Sequence, residues 1–445
     1  MTPERERVVV AYRMVRSFLT AVLLTAAAAC TVVSEPPTGG DQSSAATSVD
    51  TVVNRVLKDV ERYWAGAYPA LSNGAAFKPV QGGYHPYTRT NPPPACGDQQ
   101  AEYQPNAFYC PAGDFVAWDA ETLIPQLNAD FGPLLVGVVF AHEYGHAVQT
   151  RLGLGDQPTV VLEQQADCFA GSWTADVLAG RSTAFKNVTA TQLDNTVAGL
   201  LMLRDQPGTP AQAPEAHGNA FDRIRALQDG VEKGPSTCAA YSAGNVPVTE
   251  VPFTSQQDAA TGGDLPYAEA VTSLSDDVQA YWRRTYPQLA NRQWQTLRVV
   301  PFDSRPPACA APDASAGGSA FYCPKGEFVA FDNQRLGQAL YQRIGDNAVG
   351  MLLGDLFARA AQDRRGSSTK DRPGQLAVDC LAGSWTNDLL KRDPRTGLTL
   401  SPGDLDEAVA ALLAFGRANE GTQISAFERI AAYRNGVLQG LTACS

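Results

Sequence analysis

Positive charge is scarce in this sequence. Its 35 Lys and Arg stand against 46 Asp and Glu, for a formal net charge of -11 and a pI near 4.9. Binding to a nucleic-acid backbone draws most of its strength from clustered Lys and Arg, so the deficit argues against DNA or RNA as a partner. Also missing is an apolar run able to span a bilayer, which needs about 20 residues; the candidate at residues 18–29 is too short. Histidine is rarer still, with four in 445 residues. What is present, 44% hydrophobic and 18% charged residues, excludes a disordered tail and suffices for two ordinary cores.

The N-terminus reads as an export signal over residues 1–29. Arg13 and Arg16 precede the apolar run Phe18 to Ala29, and Cys30 follows. Small residues before a cysteine resemble a bacterial lipobox, in which the Cys thiol is lipidated; Ala27 departs from the usual Leu. This places the chain on the outer face of the cytoplasmic membrane as a lipoprotein. Cleavage after an Ala-x-Ala site, giving a secreted protein, is the alternative, and Met14 is an alternative start. Residues 30–49, rich in Ser, Thr, Pro and Gly, form a flexible tether.

Laid against itself, the rest of the chain shows one unit twice. Phe108-Tyr-Cys-Pro111 with Phe115-Val-Ala-Trp-Asp119 matches Phe321-Tyr-Cys-Pro324 with Phe328-Val-Ala-Phe-Asp332. Farther on, Asp167-Cys-Phe-Ala-Gly-Ser-Trp173 matches Asp379-Cys-Leu-Ala-Gly-Ser-Trp385, and Ala220-Phe-Asp-Arg-Ile224 matches Ala426-Phe-Glu-Arg-Ile430. The first copy covers residues 50–246, a linker 247–265 and the second copy 266–445. Of nine cysteines, Cys30 stands apart and each copy holds four. Repeated spacing in an exported chain pairs Cys96 with Cys110, Cys168 with Cys238, Cys309 with Cys323 and Cys380 with Cys444. The competing role for Cys168, a metal ligand, is weakened because Cys380 sits in a copy lacking the other ligands.

Residues 133–150 have the length of a buried helix and contain His142-Glu-Tyr-Gly-His146. Four residues apart on a helix, both imidazoles reach one Zn²⁺, while Glu143 lies beside them as a general base. The next helix offers Glu163 as third ligand and, one turn later, Asp167 to fix the tautomer of a ligating His. Gly153, Gly155 and Pro158 break the chain between the two helices. The second copy serves as an internal control. It places Asp355, Leu356 and Arg359 opposite His142, Glu143 and His146, and Gln375 opposite Glu163; only Asp379, opposite Asp167, survives. One zinc per chain, in the first copy, is the expectation. His217 faces Gln423 in the same comparison and so tracks with the site, as a catalytic donor to an oxyanion. His85 has no assigned role.

His142-Glu-Tyr-Gly-His-Ala-Val-Gln149 and Leu162-Glu-Gln-Gln-Ala-Asp-Cys-Phe-Ala-Gly-Ser-Trp173 resemble a bacterial neutral zinc metallopeptidase family, across residues 50–242. The resemblance implies an α+β, mainly helical fold: two tandem domains with a thermolysin-like gluzincin core, each with a small sheet and a bundle of helices. It also implies a metalloendopeptidase acting on peptides or proteins of the cell envelope, with Phe115 to Trp118 as the edge strand that receives substrate. The competing expectation is a non-catalytic envelope binding protein or scaffold built on a peptidase fold.

Overall fold

Ser48 caps the first helix, α1 (Val49–Leu71), by accepting from the Thr51 N–H. Val52, Val53, Val56, Leu57, Val60, Trp64 and Tyr68 recur at helical spacing and form its buried stripe. The computed structural model describes residues 48–98, 102–213, 216–315, 318–418 and 424–444. The export signal, Cys30 and the tether up to residue 47 therefore lie outside the described residues. Among the described residues, no helix is long and apolar enough to cross a membrane.

After α1 come three strands, β1 (Gly83–Tyr87), β2 (Ala107–Cys110) and β3 (Phe115–Asp119), then, besides a short turn of helix at Pro235–Ala239, five longer helices. These are α2 (Leu123–Phe131), α3 (Pro133–Leu152), α4 (Thr159–Leu178), α5 (Ala190–Met202) and α6 (Ala220–Lys233). The second copy repeats the order: α7 (Tyr267–Ala290), β4 (Arg298–Phe302), β5 (Asp313–Ser315), β6 (Ala320–Cys323), β7 (Phe328–Asp332), α8 (Gln338–Arg343), α9 (Asp346–Arg364), α10 (Arg372–Leu390), α11 (Asp404–Ala418) and α12 (Ala426–Gln439). The fold is α+β and mainly helical, with two small mixed sheets. Each is built alike: β1 runs parallel to β3 while β2 runs antiparallel to it, and β4, β7 and β6 repeat this arrangement.

One expectation is overturned here. Phe115 to Trp118 do not form an edge, because β3 is the central strand, hydrogen-bonded to β1 on one side and β2 on the other. Its residues are all buried, as the unbroken apolar run Phe-Val-Ala-Trp requires of a strand covered on both faces. On one face Trp118 meets Phe140 of α3 edge-on, with ring centroids 5.1 Å apart.

Residues 48–445 form one compact unit, and a single apolar cluster runs through both copies, with Trp64 and Trp173 from the first and Trp282 and Trp385 from the second. Residues 247–265 carry a short helix, Gln256–Thr261, and are fastened at both ends: the Thr249 N–H donates to Asp222 and the Leu265 N–H to Asp346. Disulfides join Cys96 to Cys110, Cys168 to Cys238, Cys309 to Cys323 and Cys380 to Cys444. Cys168 is thereby committed to sulfur.

Candidate metal centre

α3 starts at Pro133, where the missing N–H costs nothing, and stops at Gly153 in the left-handed region (φ 68°). His142 and His146 lie one turn apart on it, and α4 runs alongside. Gly145 permits that approach, since a Cβ at this position would sit 2.8 Å from Ala166 Cα. The second copy, without ligands to bring together, carries Ala358 in its place.

The close crossing aims three side chains at one point. His142 Nε2 and His146 Nε2 are 3.2 Å apart; Glu163 Oε2 lies 3.2 Å from the first and Glu163 Oε1 3.4 Å from the second. Zinc bonds of about 2.0–2.1 Å at tetrahedral angles put neighbouring ligand atoms about 3.3 Å apart. The spacing therefore fits that ion. Glu163 Oε2 is buried and has no hydrogen-bond partner among the described residues, an orphaned oxygen that a cation would satisfy.

Both imidazoles are held from behind. His142 Nδ1 is 2.7 Å from Asp167 Oδ1, and His146 Nδ1 is 2.9 Å from Gln149 Oε1. Asp167 is gripped in turn by Arg223 of α6, whose Nε and Nη2 donate at 2.9 and 3.1 Å, while Nη1 donates to the Leu203 carbonyl. Burial works against charge on His142, but Asp167 and Glu163 prevail and carry the imidazole up to about 10. Burial likewise pushes the Glu163 carboxyl up, and His146 with His142 more than reverses it, holding the group well below the usual carboxylate range.

Glu143 reaches to β2. Its Oε2 accepts from the Tyr109 N–H at 2.9 Å, and burial raises its carboxyl above the ordinary value. A base of raised pKa beside a metal is suited to passing protons near neutrality. His217 sits on the loop before α6, half-exposed, its Nδ1 3.5 Å from Asp205 Oδ1; Asp205 Oδ2 accepts from the His217 and Gly218 N–H groups. Hydrogen bonding to Asp205 lifts this imidazole.

A cleft of about 580 Å³ opens over these groups, and His142, Glu143, His146, Glu163, Asp167 and His217 all line it. Asn106 to Tyr109 form one wall, and Leu123, Leu127, Val138, Val139, Leu200 and Leu203 another. His85 lies on β1, outside this lining, near the Gly82 carbonyl. Cys30, and Gln423 opposite His217, fall outside the described residues. Three participants had gone unread in the sequence: Gln149, Arg223 and Asp205. For two of them a signal existed. Arg223 with Asp167 reappears as Arg429 with Asp379, paired at 2.9 and 2.6 Å, and Gln149 reappears as Gln362.

In the second copy a guanidinium occupies the corresponding place. Arg359, at the His146 position, donates to Asp355, at the His142 position (2.8 Å), and to Asp313 of β5 (3.3 Å). Gln375, at the Glu163 position, turns away to the Lys370 carbonyl. Gln362 keeps a buried Oε1 with no partner among the described residues, because the imidazole it would face is gone.

The model of the family described as "Putative neutral zinc metallopeptidase" matches residues 9–241. The uncharacterized protein Rv2575 of Mycobacterium tuberculosis is 30% identical over 201 residues, which cover 39% of this chain and 68% of that protein; Mb2605 of Mycobacterium bovis matches to the same extent. The uncharacterized protein YpfJ of Escherichia coli is 37% identical over 108 residues, 20% of this chain and 35% of that protein. No solved structure matches.

Proposed function

Since the chain belongs to the putative neutral zinc metallopeptidase family, we propose that its first copy is a zinc-dependent endopeptidase with a thermolysin-like core. The observation that carries this reading is the convergence of two imidazole nitrogens and one carboxylate at zinc spacing beside a separate buried Glu143. A structural zinc is usually closed by four Cys or His ligands and needs no base.

His142, His146 and Glu163 would hold the ion, which when bound supplies Lewis acidity to a peptide carbonyl and to water. Glu143 takes the proton of the attacking water and returns it to the leaving amine. The Tyr109 N–H keeps one Glu143 oxygen occupied, leaving the other for that transfer. His217, held by Asp205, donates to the oxyanion. The substrate lies along β2 with an apolar side chain against the wall of Leu123, Leu127, Val138, Val139, Leu200 and Leu203. Our reading places the enzyme in the cell envelope, exported and lipidated at Cys30, with a peptide or protein as substrate.

A role for the second copy as a peptide-capturing module finds no support in its centre, which Arg359 and Asp313 fill from within. Metal content and peptide cleavage, measured on wild type and Glu143→Gln, test the proposal. Near one zinc in both proteins with cleavage only in wild type is the expected result; cleavage at the wild-type rate by the variant removes Glu143 from the chemistry. Radiolabelled palmitate incorporated by wild type and lost in Cys30→Ala would support the anchor, and no label in either would favour secretion.

A further inference from the structure

The two copies face each other as reciprocal partners. α5 aligns with α11 through Leu193-Asp194 against Leu405-Asp406 and Leu200-Leu201 against Leu412-Leu413, and α6 aligns with α12 through Phe221 and Phe427. Asp194 of the first copy accepts the Phe427 N–H in the opening turn of α12 (3.0 Å). Asp406 of the second accepts the Phe221 N–H in the opening turn of α6 (2.9 Å). Each aspartate thus satisfies an orphan donor at the positive end of the other copy's helix. Near the axis Arg434 donates to Gln228 (3.1 Å), its own counterpart, and Gln228 donates to the Phe427 carbonyl (2.9 Å). This is the self-complementary pattern of a two-fold dimer, made within one chain.

The two aspartates are not equivalent. Asp406 Oδ2 also lies 3.1 Å from Arg204 Nε, whereas the sequence position equivalent to Arg204 in the second copy is Gly416, which offers no guanidinium to Asp194. Both contacts of Asp406 land on the support of the metal site. α6 carries Arg223, which grips Asp167 behind His142. Arg204 stands between Leu203, whose carbonyl receives Arg223 Nη1, and Asp205, which holds the His217 loop.

The geometry points to Asp406 as a positioning residue of the first copy's metal site, supplied in cis by the copy that has lost its own. The second copy thereby acts as a brace for α6 and the His217 loop. This inference rests on the proposed zinc site and deepens it.

The test uses the full chain with Co²⁺ as probe, reading its visible ligand-field band, its affinity and the melting temperature, for Asp406→Asn, Asp406→Glu, Arg204→Gln and the mirror variant Asp194→Asn. Asp406→Asn is expected to shift the band and weaken Co²⁺ by about tenfold, with Asp406→Glu restoring part of both. Asp194→Asn should melt as low as Asp406→Asn yet keep the wild-type band and affinity. Arg204→Gln, which leaves the helix contact intact, should shift the band less, and it carries the test if Asp406→Asn fails to fold. A wild-type band in both Asp406→Asn and Arg204→Gln overturns the inference, as does an equal shift in Asp194→Asn. Failure of wild type to take up Co²⁺ overturns it together with the peptidase reading, so the two failures are distinguishable.

Discussion

Asp167 connects His142 to Arg223, so one oxygen-to-nitrogen change separates its two roles. In Asp167→Asn the buried guanidinium loses its counter-charge, which costs about 3 kcal/mol of stability, and His142 loses its anionic partner, which weakens zinc by about 10- to 100-fold. Chemical denaturation and zinc titration measure these separately. Asp379→Asn should show the first loss alone, since Asp379 pairs with Arg429 and has Asp355 where His142 would be. Equal zinc affinity in wild type and Asp167→Asn would reduce Asp167 to a scaffold residue. The grouping of His142 with His146 was legible because four-residue spacing fixes a common helix face whatever the surroundings. Arg223 was legible only through the repeat of its motif, as it lies 56 residues from Asp167 and only tertiary packing joins them.

Among elements, the crossing of α4 and α6 is the tightest. A Cβ at Gly171 would fall 2.0 Å from the Leu227 carbonyl oxygen, and one at Gly230 1.9 Å from that of Cys168. The second copy repeats it: Gly383 against Tyr433 and Gly436 against Cys380, at 2.1 and 2.0 Å. Here backbone meets backbone, with no flexible side chain to give way. Gly171→Ala is therefore expected to destabilise by about 2–3 kcal/mol, in the range of overpacked cores, and to move α6, lowering metal affinity with stability. Gly383→Ala should match the stability loss with metal binding unchanged, a contrast that calorimetry and zinc titration would register. The two helices that carry His142 and Glu163, and the repeated motifs, were readable because turn signals and motif matches are local. The place of β3 was not: a strand of five buried residues reads alike at the centre or edge of a sheet, and its neighbours are chosen by long-range pairing.

Across the whole molecule, charge is spread unevenly. Asp264, Asp346 and Glu407 bring carboxylate oxygens within 4.8 Å of one another, with Asp404 and Asp258 close by. Burial, and then the like charge of Asp264, raises Asp346 to about 6. An acid whose folded pKa exceeds its unfolded value of about 3.9 binds its proton more tightly when folded, so its contribution to stability is whole below pH 4 and lost as pH climbs toward 6. Asp346→Asn should melt with wild type at pH 4 and several degrees above it at pH 7, with divalent cations chelated in both. A constant offset across that range would refute the assignment. The interior cation of the second copy has a different bearing, on metal dependence. Arg359 arrives with the polypeptide itself, so on the proposed zinc reading a chelator would strip positive charge from the first centre and leave the second untouched.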